Sequence, residues 1–312
     1  GLDPVFERLA EVEQAHLERG RVVGRQQLQP LVVPFGRRPR EELDAGGVAA
    51  LARTITSLEA GVVPEGVLAG LRDRAAARGV PVLGITGTGG SGKSSLTDEL
   101  VRRLRLDQED KVRVAVLAID PTRRRGGGAL LGDRIRMNSI DTPQVYFRSL
   151  ATRSTRSEVP ECLSSVIDAA VAWGADLVIV ETPGIGQGDA AIVPYADVSL
   201  YVMTPEFGAS SQLEKIDMLD FADVVAINKF ERRGAQDARR DVARQLLRNR
   251  EDFTATPDDM PVFGTVAARF NDDGVTALYQ HLRGLLADHG LAAGGGALAP
   301  VSAKVSTRLA EV

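Results

Sequence analysis

Residues 87–95 read GTGGSGKSS and stand between an apolar run, 81–86 (PVLGIT), and a helical pattern from Ser94 to Arg105. The stretch fits G-x-x-x-x-G-K-[ST], with Gly87, Gly92, Lys93 and Ser94 at the defining positions. No other feature restricts the fold as strongly. Glycines let backbone N–H groups turn inward around phosphates, and the helix N-terminus adds a favourable dipole. Lys93 is placed to reach the β- and γ-phosphates and Ser94 to ligate Mg²⁺. A chain built around this loop must supply a strand before it and a helix after it.

The rest of the chain agrees. Apolar runs recur at 112–119 (VRVAVLAI), 176–180 (DLVIV), 198–203 (VSLYVM), 223–227 (DVVAI) and 261–265 (PVFGT), with a shorter edge candidate at 145–148. Near-continuous Val, Ile and Leu strands separated by helical patterns imply a parallel sheet covered on both faces. In 161–173, Leu163, Val166, Ile167, Ala170 and Val171 fall on one helical face. The expected fold is α/β: a P-loop NTPase with a mostly parallel sheet, helices on both faces and an N-terminal helical extension. Residues 1–78 form that extension and its connector, with helices expected at 4–19, 41–60 and 64–78 and a Pro- and Arg-rich connector at 21–40. Residues 79–290 form the nucleotide-binding domain, closed by a helix over 276–288. Residues 291–312 contain AAGGGALAP and are expected to be a flexible linker and tail.

Composition narrows the function classes. A net charge of −4 gives no field to recruit nucleic acid or an anionic membrane. No apolar run approaches the roughly 20 residues of a membrane span. The single cysteine, Cys162, excludes an internal disulfide and a Cys-rich metal site, and fits a cytoplasmic location.

In an open α/β sheet, ligands bind at the carboxyl ends of the strands. Three such ends carry chemistry: Asp120 after 112–119, Glu181 in ETPG after 176–180, and NKFE, 228–231, after 223–227. Asp120 and Glu181 are candidate Mg²⁺ carboxylates, because Mg²⁺ takes oxygen ligands and retains several waters. Between them, Gly126 to Gly128 free a loop that bears Asp133 and Arg136, a pattern suited to a nucleotide switch. Arg123 to Arg125 read as a solvated or partner-facing charge run. In ETPGIGQGD, Gly184 is placed to sense a γ-phosphate. Many GTPases follow that glycine with a glutamine that orients the attacking water. Here the position is Ile185, and Gln187 lies two residues on, so intrinsic hydrolysis is expected to be slow and to await a partner. NKFE departs from Asn-Lys-x-Asp, the guanine-reading loop, by one methylene at Glu231. The carboxylate can still accept from guanine N1–H and the 2-amino group, at some entropy cost. The following loop, 265–269 (TVAAR), is placed to back the base but lacks the usual Ser-Ala pair.

Taken together, GITGTGGSGKSSLTDEL, AIDPTRRRGGGALLGDRIRM, RSLATR, VIVETPGIGQGDAAI and INKFE resemble the cobalamin-mutase-associated GTPases, the MeaB/ArgK/MMAA type of G-protein chaperone. PEFGASSQLEKIDMLDFAD and RFNDDGVTALY look most like the G-domain within fused isobutyryl-CoA mutases. The resemblance covers about residues 50–285. It implies GTP or GDP with Mg²⁺, and a GTPase cycle that gates adenosylcobalamin loading into an acyl-CoA mutase and protects it. By the same resemblance Gly90, Ser91, Gly92, Lys93, Ser94 and Ser95 would contact phosphates. Ser94, Asp120, Asp133 and Glu181 would lie on the Mg²⁺ side, and Arg136 and Gly184 would contact nucleotide. Asn228, Lys229 and Glu231 would hold guanine, leaving Lys93, Asp133, Glu181 and Gln187 as the catalytic candidates. Residues 205–217 match a further switch segment, with Glu214, Lys215 and Asp217 as its charged face.

Cobalamin-binding mutase domains carry Asp-x-His-x-x-Gly; His16, His281 and His289 all lie outside such a pattern. Cobalamin is therefore expected only through the partner, an adenosylcobalamin-dependent acyl-CoA mutase on a separate chain or in domains outside this one. The mutase barrel itself needs about 250 further residues. A homodimer is also compatible with these residues; nucleic acid and membrane are not expected partners. Three other assignments compete. A nickel-delivery GTPase would need Cys or His at its metal site, a small-molecule kinase would need no NKFE-like loop, and a nucleotide-dependent scaffold would turn over little GTP.

Overall fold

The computed structural model describes residues 47–121, 137–152, 159–184, 189–208, 213–214, 216–251 and 254–307. Its strands follow the apolar runs: β1 Val82–Gly87, β2 Val114–Pro121, β3 Val145–Thr152, β4 Leu177–Glu181, β5 Val198–Met203, β6 Val224–Asn228 and β7 Val262–Thr265. They form one seven-stranded sheet in the order β3-β2-β4-β1-β5-β6-β7. Every neighbouring pair is parallel, so all carboxyl ends emerge at one edge. β3 runs to Thr152, past the apolar 145–148, because an edge strand tolerates polar residues. There Arg148 forms an ion pair with Glu59 at 2.5 Å.

Helices cover both faces. Among the described residues the α-helices are α1 Val48–Glu59, α2 Glu65–Arg78, α3 Lys93–Asp107, α4 Leu163–Trp173, α5 Ala235–Asn249 and α6 Asp273–Asp288. The period of two along β2 divides the core: Val114, Val116 and Ala118 pack with α3 and α6, while Ala115, Leu117 and Ile119 pack with α1, α2 and α4. α5 seals the far end of the sheet over Tyr201, Met203, Val225 and Ile227. Sequence signals set the helix limits. Pro64 precedes α2, whose C-cap Gly79 adopts the left-handed conformation, and the Asp272 side chain caps α6 by accepting from Val275 N. Among the described residues no helix is long and apolar enough to cross a membrane.

The glycine-rich stretch expected to be a flexible linker is held against the domain. Gly294 N–H donates to Gln108 Oε1 (2.9 Å), Leu298 N–H to Asp107 Oδ1 (2.9 Å) and Val301 N–H to Gln280 Oε1 (2.9 Å). Small residues there permit close approach, and the anchors lie on distant helices that linker composition does not reveal. Asp107 also accepts from Tyr279 Oη (2.7 Å) and Arg283 Nη1 (2.6 Å). Burial would raise its carboxyl, but the bonds from Leu298 N–H, Tyr279, Gln108 and Arg283 outweigh it and hold the group below the usual carboxylate range.

Candidate functional site

The loop after β1 turns into α3 at Gly92, the N-cap, with φ 89°. A β-carbon there would stand 2.6 Å from Asn228 Nδ2, so only glycine serves this turn. Lys93, 6% exposed, folds its ammonium back onto the loop and donates to Gly87 O (2.9 Å) and Thr88 O (3.0 Å). Gly184, at the carboxyl end of β4 with φ 68°, packs against it. A β-carbon on Gly184 would come within 2.1 Å of Lys93 Nζ and 2.2 Å of Gly87 O.

On the same edge, β4 ends at Glu181, paired in register with Ile85 of β1 and Ala118 of β2. Asp120 follows two residues beyond Ala118 and is likewise buried. Glu181 accepts from Ser94 Oγ at 2.6 Å on one oxygen and from Thr97 Oγ1 at 2.8 Å on the other. Thr97 did not emerge from the motif, although its place three residues after Ser94 on one helix face is a usable signal. One residue on, Asp98 accepts from the N–H groups of Asn138 (3.1 Å) and Ser139 (2.8 Å), anchoring that segment against α3.

On the other side of the loop, β6 delivers Asn228, which is 3% exposed. Its Nδ2 donates to Ser91 O (2.8 Å), while its Oδ1 accepts from Thr265 Oγ1 (3.2 Å) and Ala267 N–H (3.0 Å). Lys229, with φ 58°, donates from Nζ to Gly90 O (2.8 Å). The 228–229 turn is thus stitched to the phosphate loop, and residues 265–267 are stitched to Asn228. Glu231 closes the turn. Among the described residues its Oε2 is buried without a hydrogen-bond partner, as are Ser91 Oγ and Thr88 Oγ1. Unpaired buried polar atoms are rare; these three belong to the two loops where phosphate and base are expected, whereas Arg148 Nε, likewise unpaired among the described residues, lies on edge strand β3.

The structure therefore places Gly90, Ser91, Gly92, Lys93, Ser94, Ser95, Asp120, Glu181, Gly184, Asn228, Lys229 and Glu231 along one edge of the sheet. Asp133, Arg136 and Gln187 lie outside the described residues, as do Arg123 to Arg125, Ile185 and Lys215. In the segment from 205, Glu206 is held at about 2, first by the Thr204 hydroxyl, with further help from Arg232. The Arg232–Glu206 pair, 2.5 Å, joins this segment to the residue after Glu231. Glu214 and Asp217 are exposed. The described residues contain no cluster of three His, Cys, Asp or Glu side chains able to hold a metal. Cys162 stands at the start of α4 and packs against its core.

Comparison with known proteins adds the following. The family profile described as methylmalonyl Co-A mutase-associated GTPase MeaB matches residues 51–292. A fused isobutyryl-CoA mutase of Nocardia farcinica is 68% identical over 282 residues, covering 89% of this chain and 26% of that protein. A protein of the same name from Cupriavidus metallidurans is 62% identical over 263 residues, covering 84% of this chain and 24% of its own length. The chain thus spans about a quarter of these relatives. In fold it is similar to a crystal structure of LAO/AO transport system kinase, with a TM-score of 0.56 and 20% identity, over 81% of this chain and 78% of the other.

Proposed function

The chain belongs to the MeaB family of methylmalonyl-CoA mutase-associated GTPases, and on that premise we propose that it is a GTP-dependent chaperone of an adenosylcobalamin-dependent acyl-CoA mutase. It gates cofactor loading and protects the mutase, and cobalamin belongs to the partner. The guanine reading rests on Glu231, whose buried Oε2 has no partner among the described residues, beside Asn228, which is held by Ser91 O, Thr265 Oγ1 and Ala267 N–H. Guanine offers N1–H and a 2-amino group to such a carboxylate, and adenine lacks that pair of donors. The partner reading rests on the match to proteins named fused isobutyryl-CoA mutase, which makes that class of mutase the first to test.

The roles follow from the geometry. Lys93 exchanges the carbonyls of Gly87 and Thr88 for phosphate oxygens, and Gly184, packed against its ammonium, responds to the move. Backbone N–H groups of 90–95 receive the phosphates. Ser94, Glu181 and Asp120 present oxygen donors only, the set that suits Mg²⁺. Ser94 and Glu181 already touch, so they fit the ion without rebuilding the site, and Thr97 fixes the carboxylate. When bound there, Mg²⁺ would supply charge neutralisation to the phosphates. After Gly184 comes Ile185, which has no group to orient water, so turnover without a partner is slow. Asp133, Arg136 and Gln187 complete the site in this proposal.

Phosphate release measured with and without an isobutyryl-CoA mutase tests the whole scheme. We expect GTP to be used in preference to ATP, slowly alone and faster with the mutase. Association with the mutase should also differ between GDP and a non-hydrolysable GTP analogue. Equal use of ATP rejects the guanine reading; mutase association indifferent to nucleotide rejects the chaperone reading.

A further inference from the structure

Residues 304–306 run along the outer edge of β7. Gly264 N–H donates to Lys304 O (2.9 Å) and Ser306 N–H donates to Gly264 O (3.0 Å), giving a parallel bridge between Gly264 and Val305. Lys304 Nζ clamps the segment to the carbonyls of Asp258 (2.6 Å), Asp259 (3.2 Å) and Met260 (3.0 Å). Covering an edge strand is a general need. What that need does not account for is Ser306, only 2% exposed, whose hydroxyl donates to Asp272 Oδ2.

Asp272 is 1% exposed and its second oxygen, Oδ1, accepts from Val266 N–H (3.2 Å) and Val275 N–H (3.0 Å). Val266 lies between Thr265 and Ala267, the two residues that donate to Asn228 Oδ1. The Asp272 main-chain oxygen accepts from Arg103 Nη2 (3.3 Å), and Arg103 belongs to α3, the helix that begins at Lys93. One buried residue, Asp272, therefore connects the 304–306 segment and the loop that holds Asn228 through its carboxylate, and the helix that follows the phosphate loop through its main-chain oxygen.

We propose that Ser306 and Asp272 are positioning residues for base recognition: the 304–306 segment sets the conformation of 265–267 and, through Asn228, the affinity for guanine nucleotide. The inference rests on the guanine reading given above. Displacement of the segment lowers that affinity, and because binding linkage is reciprocal, bound nucleotide holds the segment in place.

The test uses the full chain, titrated with GDP and with ADP, as wild type and as Ser306→Ala. Amide hydrogen exchange at Gly264 and Ser306 is followed in the wild type with and without GDP. We expect Ser306→Ala to weaken GDP by about fivefold, through loss of the buried bond to Asp272 and of the longer one that the hydroxyl accepts from Arg269 Nη1 (3.3 Å), with ADP unchanged. We also expect GDP to slow exchange at both amides. GDP affinity within twofold of wild type overturns the proposal, as does an equal loss for GDP and ADP, which marks general destabilisation. Exchange indifferent to GDP overturns it without any substitution. A wild type that binds ADP as well as GDP brings down the guanine reading first, and that outcome is visible before any variant is made.

Discussion

The phosphate side and the base side of the candidate site solve the same problem in opposite ways. On the phosphate side Lys93, Ser94 and Glu181 are engaged with protein groups, while Ser91 Oγ and Thr88 Oγ1 have no partner among the described residues. Ser94 and Thr97 occupy both oxygens of Glu181, and Lys93 rests on Gly87 O and Thr88 O. Each of these bonds can be traded for a bond to nucleotide or Mg²⁺ at small net cost. On the base side Asn228 is committed to scaffolding, with Ser91 O, Thr265 Oγ1 and Ala267 N–H around it. There Glu231 Oε2 has no hydrogen-bond partner among the described residues. In the proposed function the phosphate side exchanges its protein partners for nucleotide and Mg²⁺. On the base side Asn228 ties the loops together, and in the proposed reading Glu231 supplies the carboxylate that selects guanine.

The sharpest way to break this contrast is to truncate one residue on each side. Lys93→Ala should weaken GDP by about 100-fold, because charge-assisted bonds to phosphate are lost, yet shift unfolding by no more than about 1 kcal/mol. Asn228→Ala strands three buried partners and should cost about 2–4 kcal/mol of stability as well as binding. Calorimetric titration and urea unfolding of both variants decide the matter; equal stability losses would erase the distinction. A smaller effect sharpens it. Glu231→Asp shortens the reader by one methylene and removes a rotor to be frozen, so GDP should bind about twofold tighter with greater preference over ADP. No change in either quantity means that Glu231 does not touch the base.

Asp107, at the far end of α3, supplies the closed reference state: a carboxylate with every partner in place and no role in binding. Its folded pKa lies below the unfolded value, so its bonds stabilise the fold fully above about pH 4. They lose that effect as pH falls through the depressed folded value. The stability difference between wild type and Asp107→Asn should therefore be largest near neutrality and shrink below about pH 4, with GDP affinity at pH 7 unchanged. A difference independent of pH contradicts the assignment.

Much of this molecule could be read along the chain. The order and type of the strands, the P-loop between β1 and α3, and the acids at the carboxyl ends of β2 and β4 all followed from local patterns. Period, glycine placement and strand-end position are fixed by backbone geometry over a few residues. The limits of that reading are equally physical. β3 was legible only to residue 148, because Arg148 and its polar neighbours interrupt the apolar run that marked the strand. The stretch 292–300 looked like a free linker, since alanine and glycine say nothing of anchors at Asp107, Gln108 and Gln280 on other helices.

The sequence by itself determined that this chain makes a nucleotide-binding parallel sheet with a P-loop and a variant guanine-type loop. Such motifs are local, and their residue types are demanded by the phosphate and the turn. Only the tertiary structure decided that Thr97 orients Glu181, that Asn228 is a strut between two loops, and that Ser306 reaches it through Asp272. Serine, threonine and aspartate occur throughout the chain, and nothing local marks the few whose partners lie tens of residues away. Folding selects them by bringing a buried donor within reach of a buried acceptor.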